Sequence, residues 1–220
     1  MNIFDILGPV MVGPSSSHTA GAVRIGYITR SLLRGRPVKA SIGLHGSFAA
    51  TGKGHGTDRA LAAGLLGMRP DDMRIPDSLV LARQEGLELD FHNIQISGAH
   101  PNTALLNVVS EDGKAIEVQA SSVGGGRIMV NKLDGIIVNF SGEVHTLIVY
   151  NTDTPGYVAQ VTGMLAGASI NIANMNLYRG KRGGCAVMVM EIDQPVPPEA
   201  LRWLEGREGI TKVIYIEGEA

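Results

Sequence analysis

The first segment with chemical content is Gly13-Pro14-Ser15-Ser16-Ser17-His18-Thr19, a glycine–proline turn followed by hydroxyls and one imidazole. It stands directly ahead of residues with helical spacing. A helix start presents unpaired N–H groups and the positive end of the helix dipole. Added Ser and Thr hydroxyls turn such a start into a site for a carboxylate or a phosphate. The same residues also read as a helix cap in which only one serine matters. A Ser–His hydrolase fits poorly, because adjacent residues rarely aim their side chains at one another and no nucleophile-elbow sequence is present.

The second is Gly46-Ser47-Phe48-Ala49-Ala50-Thr51-Gly52-Lys53-Gly54-His55-Gly56-Thr57-Asp58. It has the look of a phosphate-binding P-loop and fails on inspection. Five residues separate Gly46 from Gly52 where four are needed, and Gly54 stands where Ser or Thr must hold magnesium. Lys53 and His55 remain, each flanked by glycines and open to a ligand. An imidazole beside a fixed positive charge stays neutral more readily, and a neutral imidazole serves as a general base near neutral pH. A glycine-rich helix entry with solvated Lys and His is the alternative.

Two weaker clusters are His100-Pro101-Asn102-Thr103, which reads as a turn, and Ser122-Val123-Gly124-Gly125-Gly126, which permits close backbone approach or a hairpin. His45, His92 and His145 show no partner spacing and read as structural, and no metal-ligand pattern occurs. Cys185 is the single cysteine, so an intrachain disulfide and a cysteine-ligated zinc or iron–sulfur site of this chain alone are excluded. The 19 Lys and Arg against 21 Asp and Glu leave a net charge of −2, without the basic excess that nucleic-acid binding needs. A hydrophobic content of 44% is ample for a core. No apolar run reaches membrane-span length and no basic residue precedes Arg24, so the expectation is a soluble protein of a reducing, cytoplasmic compartment.

These residues must be held by regular elements. A boundary is expected near 143, dividing the chain into domains 1–143 and 144–220. In the second, a strand near 144–150 meets a turn where Asp153 or Thr154 caps a helix and Pro155 opens it. A strand near 170–178 with a slip of phase, a strand from Cys185 to Ile192 apolar on both faces, a helix after Pro197-Pro198 and a strand from Val213 to Ile216 follow. That order is the split βαβ, ferredoxin-like one. In the first domain, Phe4, Ile6 and Leu7 suggest an apolar turn, His18 to Leu33 a helix, Val38 to Leu44 a strand, and Thr57 to Leu66 a buried helix. Later runs near 88–97, 104–110, 114–122 and 127–131 read as strands of a mixed sheet. The fold class is α+β: an N-terminal mixed-sheet α/β domain, then a ferredoxin-like βαββαβ domain.

Taken in order, Gly13-Pro14-Ser15-Ser16-Ser17-His18-Thr19, Gly52-Lys53-Gly54-His55-Gly56-Thr57-Asp58 and Ser122-Val123-Gly124-Gly125-Gly126 closely resemble the beta chain of the two-subunit, iron–sulfur-dependent L-serine dehydratases. The resemblance spans nearly the whole chain. It implies a substrate-binding-like beta domain over 1–143, an ACT domain over 144–220, and deamination of L-serine to pyruvate and ammonia. It implies a four-iron–four-sulfur cluster carried by a partner alpha chain, acting as Lewis acid on the substrate hydroxyl and carboxylate. His55 then matches the catalytic base, with His18 as a second base or hydrogen-bond partner. Ser15, Ser16, Ser17, Thr19, Lys53 and Gly54 are expected to bind or align the substrate. In the ACT domain, Asn151, Asp153 and Asn171 match effector-binding positions, and self-association through that domain is possible. The competing reading is a purely regulatory module that senses serine and an effector and has no catalytic residues.

Overall fold

The computed structural model describes residues 10–218, so the turn expected at Phe4, Ile6 and Leu7 lies outside the described residues. The chain divides into two compact units, Met1–Asp134 and Gly135–Ala220. The expected boundary at 143 lies a few residues beyond that division.

The first unit is built on a strand whose even positions are apolar. In β1 (Pro37–Gly46), Ala40, Ile42 and Leu44 are buried. The same period of two buries Ala104, Leu106 and Val108 in β3 (Asn102–Ser110) and Ile116, Val118 and Ala120 in β4 (Ala115–Gly124). With β2 (Glu88–Ile94) and β5 (Arg127–Leu133) they form the order β2-β1-β3-β4-β5 within this unit, and the next strand in the chain, β6 (Ile136–Phe140), lies past the division. β1 runs parallel to β2 and antiparallel to β3, so the sheet is mixed as expected. The parallel pair requires a crossover. It is supplied by α2 (Ser47–His55), α3 (Thr57–Leu65) and α4 (Ser78–Gln84), the last of which the hydrophobic pattern did not announce.

Helix α1 (Gly21–Leu33) lies over β3, β4 and β5, burying Val23, Ile25, Ile28 and Leu32. α3 packs on α1 at glycine contacts: a Cβ on Gly64 would sit 2.1 Å from the Val23 carbonyl oxygen, and one on Gly26 2.3 Å from that of Leu61. The Ser122–Gly126 cluster is a hairpin. Gly125 and Gly126, at φ 62° and 77°, form its two-residue turn between β4 and β5.

The second unit has the expected order: β7 (Thr146–Thr152), α5 (Tyr157–Gly167), β8 (Ile172–Arg179), β9 (Cys185–Ile192), α6 (Pro198–Glu205) and β10 (Ile210–Ile216). Its sheet is ordered β10-β7-β9-β8, the ferredoxin-like arrangement. β8 carries the anticipated irregularity, a register shift between Ile172 and Asn174. Leu147, Val149, Val161, Leu165, Met188, Met190, Leu204 and Val213 form its core. The start of α5 differs from expectation. Its N-cap is Gly156 at φ 107°, without a side-chain cap, and the helix opens at Tyr157, two residues past Pro155. The reason is that Asp153 is drawn elsewhere: its Oδ2 accepts from Gly183 N at 3.0 Å and from Arg179 at 3.1 Å. Arg179 gives the carboxylate an ionised donor that a backbone cap would lack.

Candidate active site

The serine-rich segment does not wait until His18 to become helical. Ser15 is extended and acts as the N-cap, its Oγ accepting from His18 N at 3.1 Å and its carbonyl from Thr19 N at 2.8 Å. Ser16–Ala20 then makes one π turn, closed by the Gly21 N–H on the Ser16 carbonyl, which runs directly into α1. Such wide turns recur at functional sites because they displace a side chain from the regular helical path. Here the displaced residues include Ser17 and His18. The N–H groups of Ser16 and Ser17 lie in the first turn, where a helix offers no internal acceptor.

The glycine-rich segment is a helix rather than the loop that its composition suggests. Each internal glycine costs a helix about 1 kcal/mol relative to alanine. Two features hold α2 regardless. Gly46 turns the chain at φ 57°, ψ −121°, and its missing Cβ lets Pro101 approach, so that Ser47 N donates to the Pro101 carbonyl at 2.8 Å. Phe48, fully buried, anchors the inner side. The helix ends where Gly56 adopts the left-handed conformation. The His100–Thr103 turn is thus the abutment of α2, tied further by Thr103 Oγ1 to the His100 carbonyl at 2.6 Å.

Once α2 is a helix, Ser47, Thr51 and His55 recur every fourth residue and share one face. That face meets His18. His18 Nε2 lies 3.1 Å from both Ser47 Oγ and Thr51 Oγ1. Its Nδ1 lies 3.4 Å from Ser17 Oγ, and Ser17 Oγ lies 3.4 Å from Ser15 Oγ. The His18 and His55 rings are 5.1 Å apart between centroids, inclined at 45°, while Phe48 meets His18 edge-on at 5.3 Å. His18 is half-buried and His55 exposed. Burial, and then the neighbouring His55, push the His18 pKa below its ordinary value, against a hydrogen bond at the Ser47 backbone that works the other way. A His18 with that shift is a neutral imidazole at pH 7.

The expected residues therefore separate into two groups. Ser15, Ser17, His18 and His55 converge. Gly54 is exposed on α2, and a Cβ placed there would meet nothing within 4 Å. Ser16 contributes its carbonyl to the π turn. Thr19 departs from expectation. It is turned inward at 3% exposure, packed so close under Gly13 that a Cβ on that glycine would lie 2.6 Å from its Cγ2. Lys53 sits within α2, and its side chain lies outside what the structure describes. Ser47, Thr51 and Phe48 are the partners that the sequence reading passed over. For Ser47 and Thr51 the signal was the four-residue spacing to His55, hidden by the glycines between them.

The three effector-position residues do not meet within one copy of the second unit. Asn151 is buried at the end of β7, its Nδ2 donating to the Thr152 carbonyl at 2.7 Å. A cavity of about 520 Å³ lined by Thr152, Tyr157, Gln160 and Arg207 opens at that end. The Gly183 N–H, with Arg179, holds the Asp153 carboxyl below its ordinary pKa. Asn171 stands at the opposite end of the sheet, donating to Asp193 at 2.7 Å, beside a second cavity of about 520 Å³ lined by His145, Glu191 and Asp193. The antiparallel ladder explains the separation: Thr152 pairs with Cys185, whereas Ile172 pairs with Ile192 at the far end of the same strand.

Residues 2–84 match the serine dehydratase beta chain family, and residues 145–208 the ACT domain family. The chain is 40% identical over 215 residues to a probable L-serine dehydratase beta chain of Bacillus subtilis, covering 98% of this chain and 97% of that one. It is 38% identical over 97% of both chains to the L-serine dehydratase beta chain of Peptoniphilus asaccharolyticus. A D-3-phosphoglycerate dehydrogenase of Archaeoglobus fulgidus is 27% identical over 89% of this chain and 37% of its own length. The two matched families lie in the order of the two units, and both beta chains match this chain over nearly its whole length. The chain belongs to the family of L-serine dehydratase beta chains.

Proposed function

We propose that this chain supplies the acid–base half of a composite L-serine dehydratase site, completed by an alpha chain. The observation that carries the reading is the convergence of His18 and His55, from two separate segments, at 5.1 Å on an accessible face. His55 takes the Cα proton of bound L-serine while the Cβ–O bond breaks, and return of that proton to the departing hydroxide makes water. The enamine that results tautomerises to the imine, which hydrolyses to pyruvate and ammonia. The Ser15–Ser17 hydroxyls and the first-turn N–H groups receive the substrate carboxylate. Gly54 leaves the approach to His55 clear of side chains from its own helix.

The four-iron–four-sulfur cluster belongs to the alpha chain in this reading. This chain has one cysteine, Cys185 on β9, and among the described residues no group of three His, Cys, Asp or Glu could hold a metal. The ACT unit is assigned effector binding through Asn151, Asp153 and Asn171. With these residues at opposite ends of one sheet, this reading has a second copy bring the missing partner. The compartment assigned is the cytoplasm; among the described residues no helix is long and apolar enough to cross a membrane.

The test is anaerobic reconstitution with an alpha chain, measuring pyruvate formed from L-serine. His55→Ala is expected to lower kcat by about 10²–10⁴-fold, the usual contribution of a positioned general base. Near-normal turnover in that variant overturns the assignment in favour of a purely sensing module. The chain alone is expected to show neither iron absorbance nor turnover; activity without a partner overturns the half-site.

A further inference from the structure

Around His18 each hydroxyl has a single proton to give, and the hydrogen bonds direct those of Thr51, Ser17 and Ser15 until a substrate carboxylate competes for the serines. Thr51 Oγ1 donates to the Ser47 carbonyl at 2.9 Å, the back-bond of a helical threonine to the residue four before it. Its proton is thereby spent, so toward His18 Nε2, at 3.1 Å, Thr51 can only accept. The hydrogen between them must then sit on Nε2. Ser47 Oγ, also at 3.1 Å from Nε2, accepts from the same N–H. Nδ1 is left with its lone pair, and the long 3.4 Å contact to Ser17 Oγ becomes a donation from the serine to the ring.

The remaining bonds follow the same direction. Ser15 donates to Ser17 at 3.4 Å and itself accepts from the His18 N–H at 3.1 Å. All these bonds point one way, toward a backbone carbonyl inside α2. A main-chain carbonyl cannot donate, and this closes the chain of reasoning. The identity of the protonated ring nitrogen is set by what its partner can accept.

We propose that Thr51 and Ser47 are positioning residues that hold His18 as the Nε2–H tautomer, so that Nδ1, on the Ser15–Ser17 side, is the atom that exchanges a proton with substrate. The assignment rests on the reading of His18 as part of the dehydratase site and adds its direction: substrate engages His18 from the serine-rich turn, not from α2. Phe48 packs edge-on against the ring at 5.3 Å between centroids. Neither Thr51 nor Ser47 touches substrate in this arrangement.

The tautomer can be observed without turnover, by ¹⁵N NMR of the full chain labelled in its histidine rings, recorded above the ordinary histidine pKa. The native chain is expected to give a pyrrole-type signal at His18 Nε2 and a pyridine-type signal at Nδ1. In Thr51→Val the acceptor is lost and the Ser47 hydroxyl becomes free to donate to Nε2. Loss of one net hydrogen bond then moves the tautomer ratio toward Nδ1–H by about fivefold. Thr51→Ser is expected to restore it. Thr51 is exposed, so the valine variant is expected to fold. A native Nδ1–H ring, or a ratio unmoved by Thr51→Val, overturns the proposal. The functional reading fails separately: His18→Gln with undiminished turnover in the assembled enzyme removes His18 from the site, whatever its tautomer.

Discussion

Gly64 in α3 and Gly163 in α5 are the same residue in the same secondary structure, one in each unit, and their surroundings are opposite. A Cβ on Gly64 would stand 2.1 Å from the Val23 carbonyl and 2.5 Å from the Tyr27 nitrogen, whereas one on Gly163 would meet nothing within 4 Å. In the first unit backbones touch where α1 meets α3 and where the end of β1 meets the His100–Thr103 turn. The second unit is assembled chiefly by side chains in regular alternation, with close backbone approach at Gly218 beside Val144 and His145. Backbone contact sets positions to a fraction of an ångström, and the first unit is where two histidines must be held within reach of each other. Packing of the second kind tolerates substitution.

Gly64→Ala is the hardest blow to that difference. Two backbone atoms must give way for one methyl group, and overpacking of this severity costs about 3 kcal/mol, more than the roughly 1 kcal/mol that alanine returns through helix propensity. Urea unfolding followed by far-UV circular dichroism should show a midpoint well below native. An unchanged midpoint would mean that α1 and α3 are free to part.

Next in size is Gly46→Ala. It combines a φ of 57° at ψ −121° with a Cβ 2.6 Å from the Pro101 oxygen. Strain of that kind costs about 1–3 kcal/mol. The more telling outcome is functional: α2 moves off its abutment, Thr51 and Ser47 leave His18, and reconstituted turnover falls further than stability alone explains at permissive temperature. Gly163→Ala reverses the sign. On an exposed helical position with open space it should raise stability by up to about 1 kcal/mol and leave turnover unchanged. If both glycine-to-alanine changes in helices destabilised alike, the contrast between the units would be lost.

The same contrast decides what was legible in the sequence. The ACT unit could be read almost element by element, because β7, β9 and β10 announce themselves by runs of Leu, Ile, Val and Met and because Pro197-Pro198 marks the start of α6. What failed there was local: Asp153 suited a helix cap, and only the fold brought Arg179 and Gly183 to compete for it. In the first unit β1 and α3 were legible by period, but α2 was not. Gly52, Gly54 and Gly56 outweigh any helical preference in the segment, and what stabilises it is Pro101, about fifty residues away in the chain. The site residues were recognised by type; that Ser47, Thr51 and His55 form one face depended on a helix that local composition argues against. Thr19 is turned inward at the π turn, which residue type alone does not reveal.

The smallest expected effect concerns protons rather than packing. Folding pushes the His18 pKa below its ordinary value of 6.5, chiefly by burial and then by His55. The sign follows from which state binds the proton more tightly. Above 6.5 both folded and unfolded chains carry a neutral His18, and it contributes no pH dependence. As the pH falls below 6.5 the unfolded chain takes up a proton that the folded chain still refuses, so the contribution turns against folding until the lowered folded value is passed. Native chain and His18→Gln should therefore converge in their loss of stability at pH 7.5 and diverge at pH 5, the glutamine variant losing less on acidification. Paired urea titrations at the two pH values measure this, and taking the difference between proteins cancels every other titrating group. His18 is half-buried, and solvent screening keeps the effect modest. A native chain that gained stability on acidification relative to His18→Gln would show that the ring is charged in the folded state, and a charged His18 has no lone pair with which to accept a proton from Ser17 or from substrate.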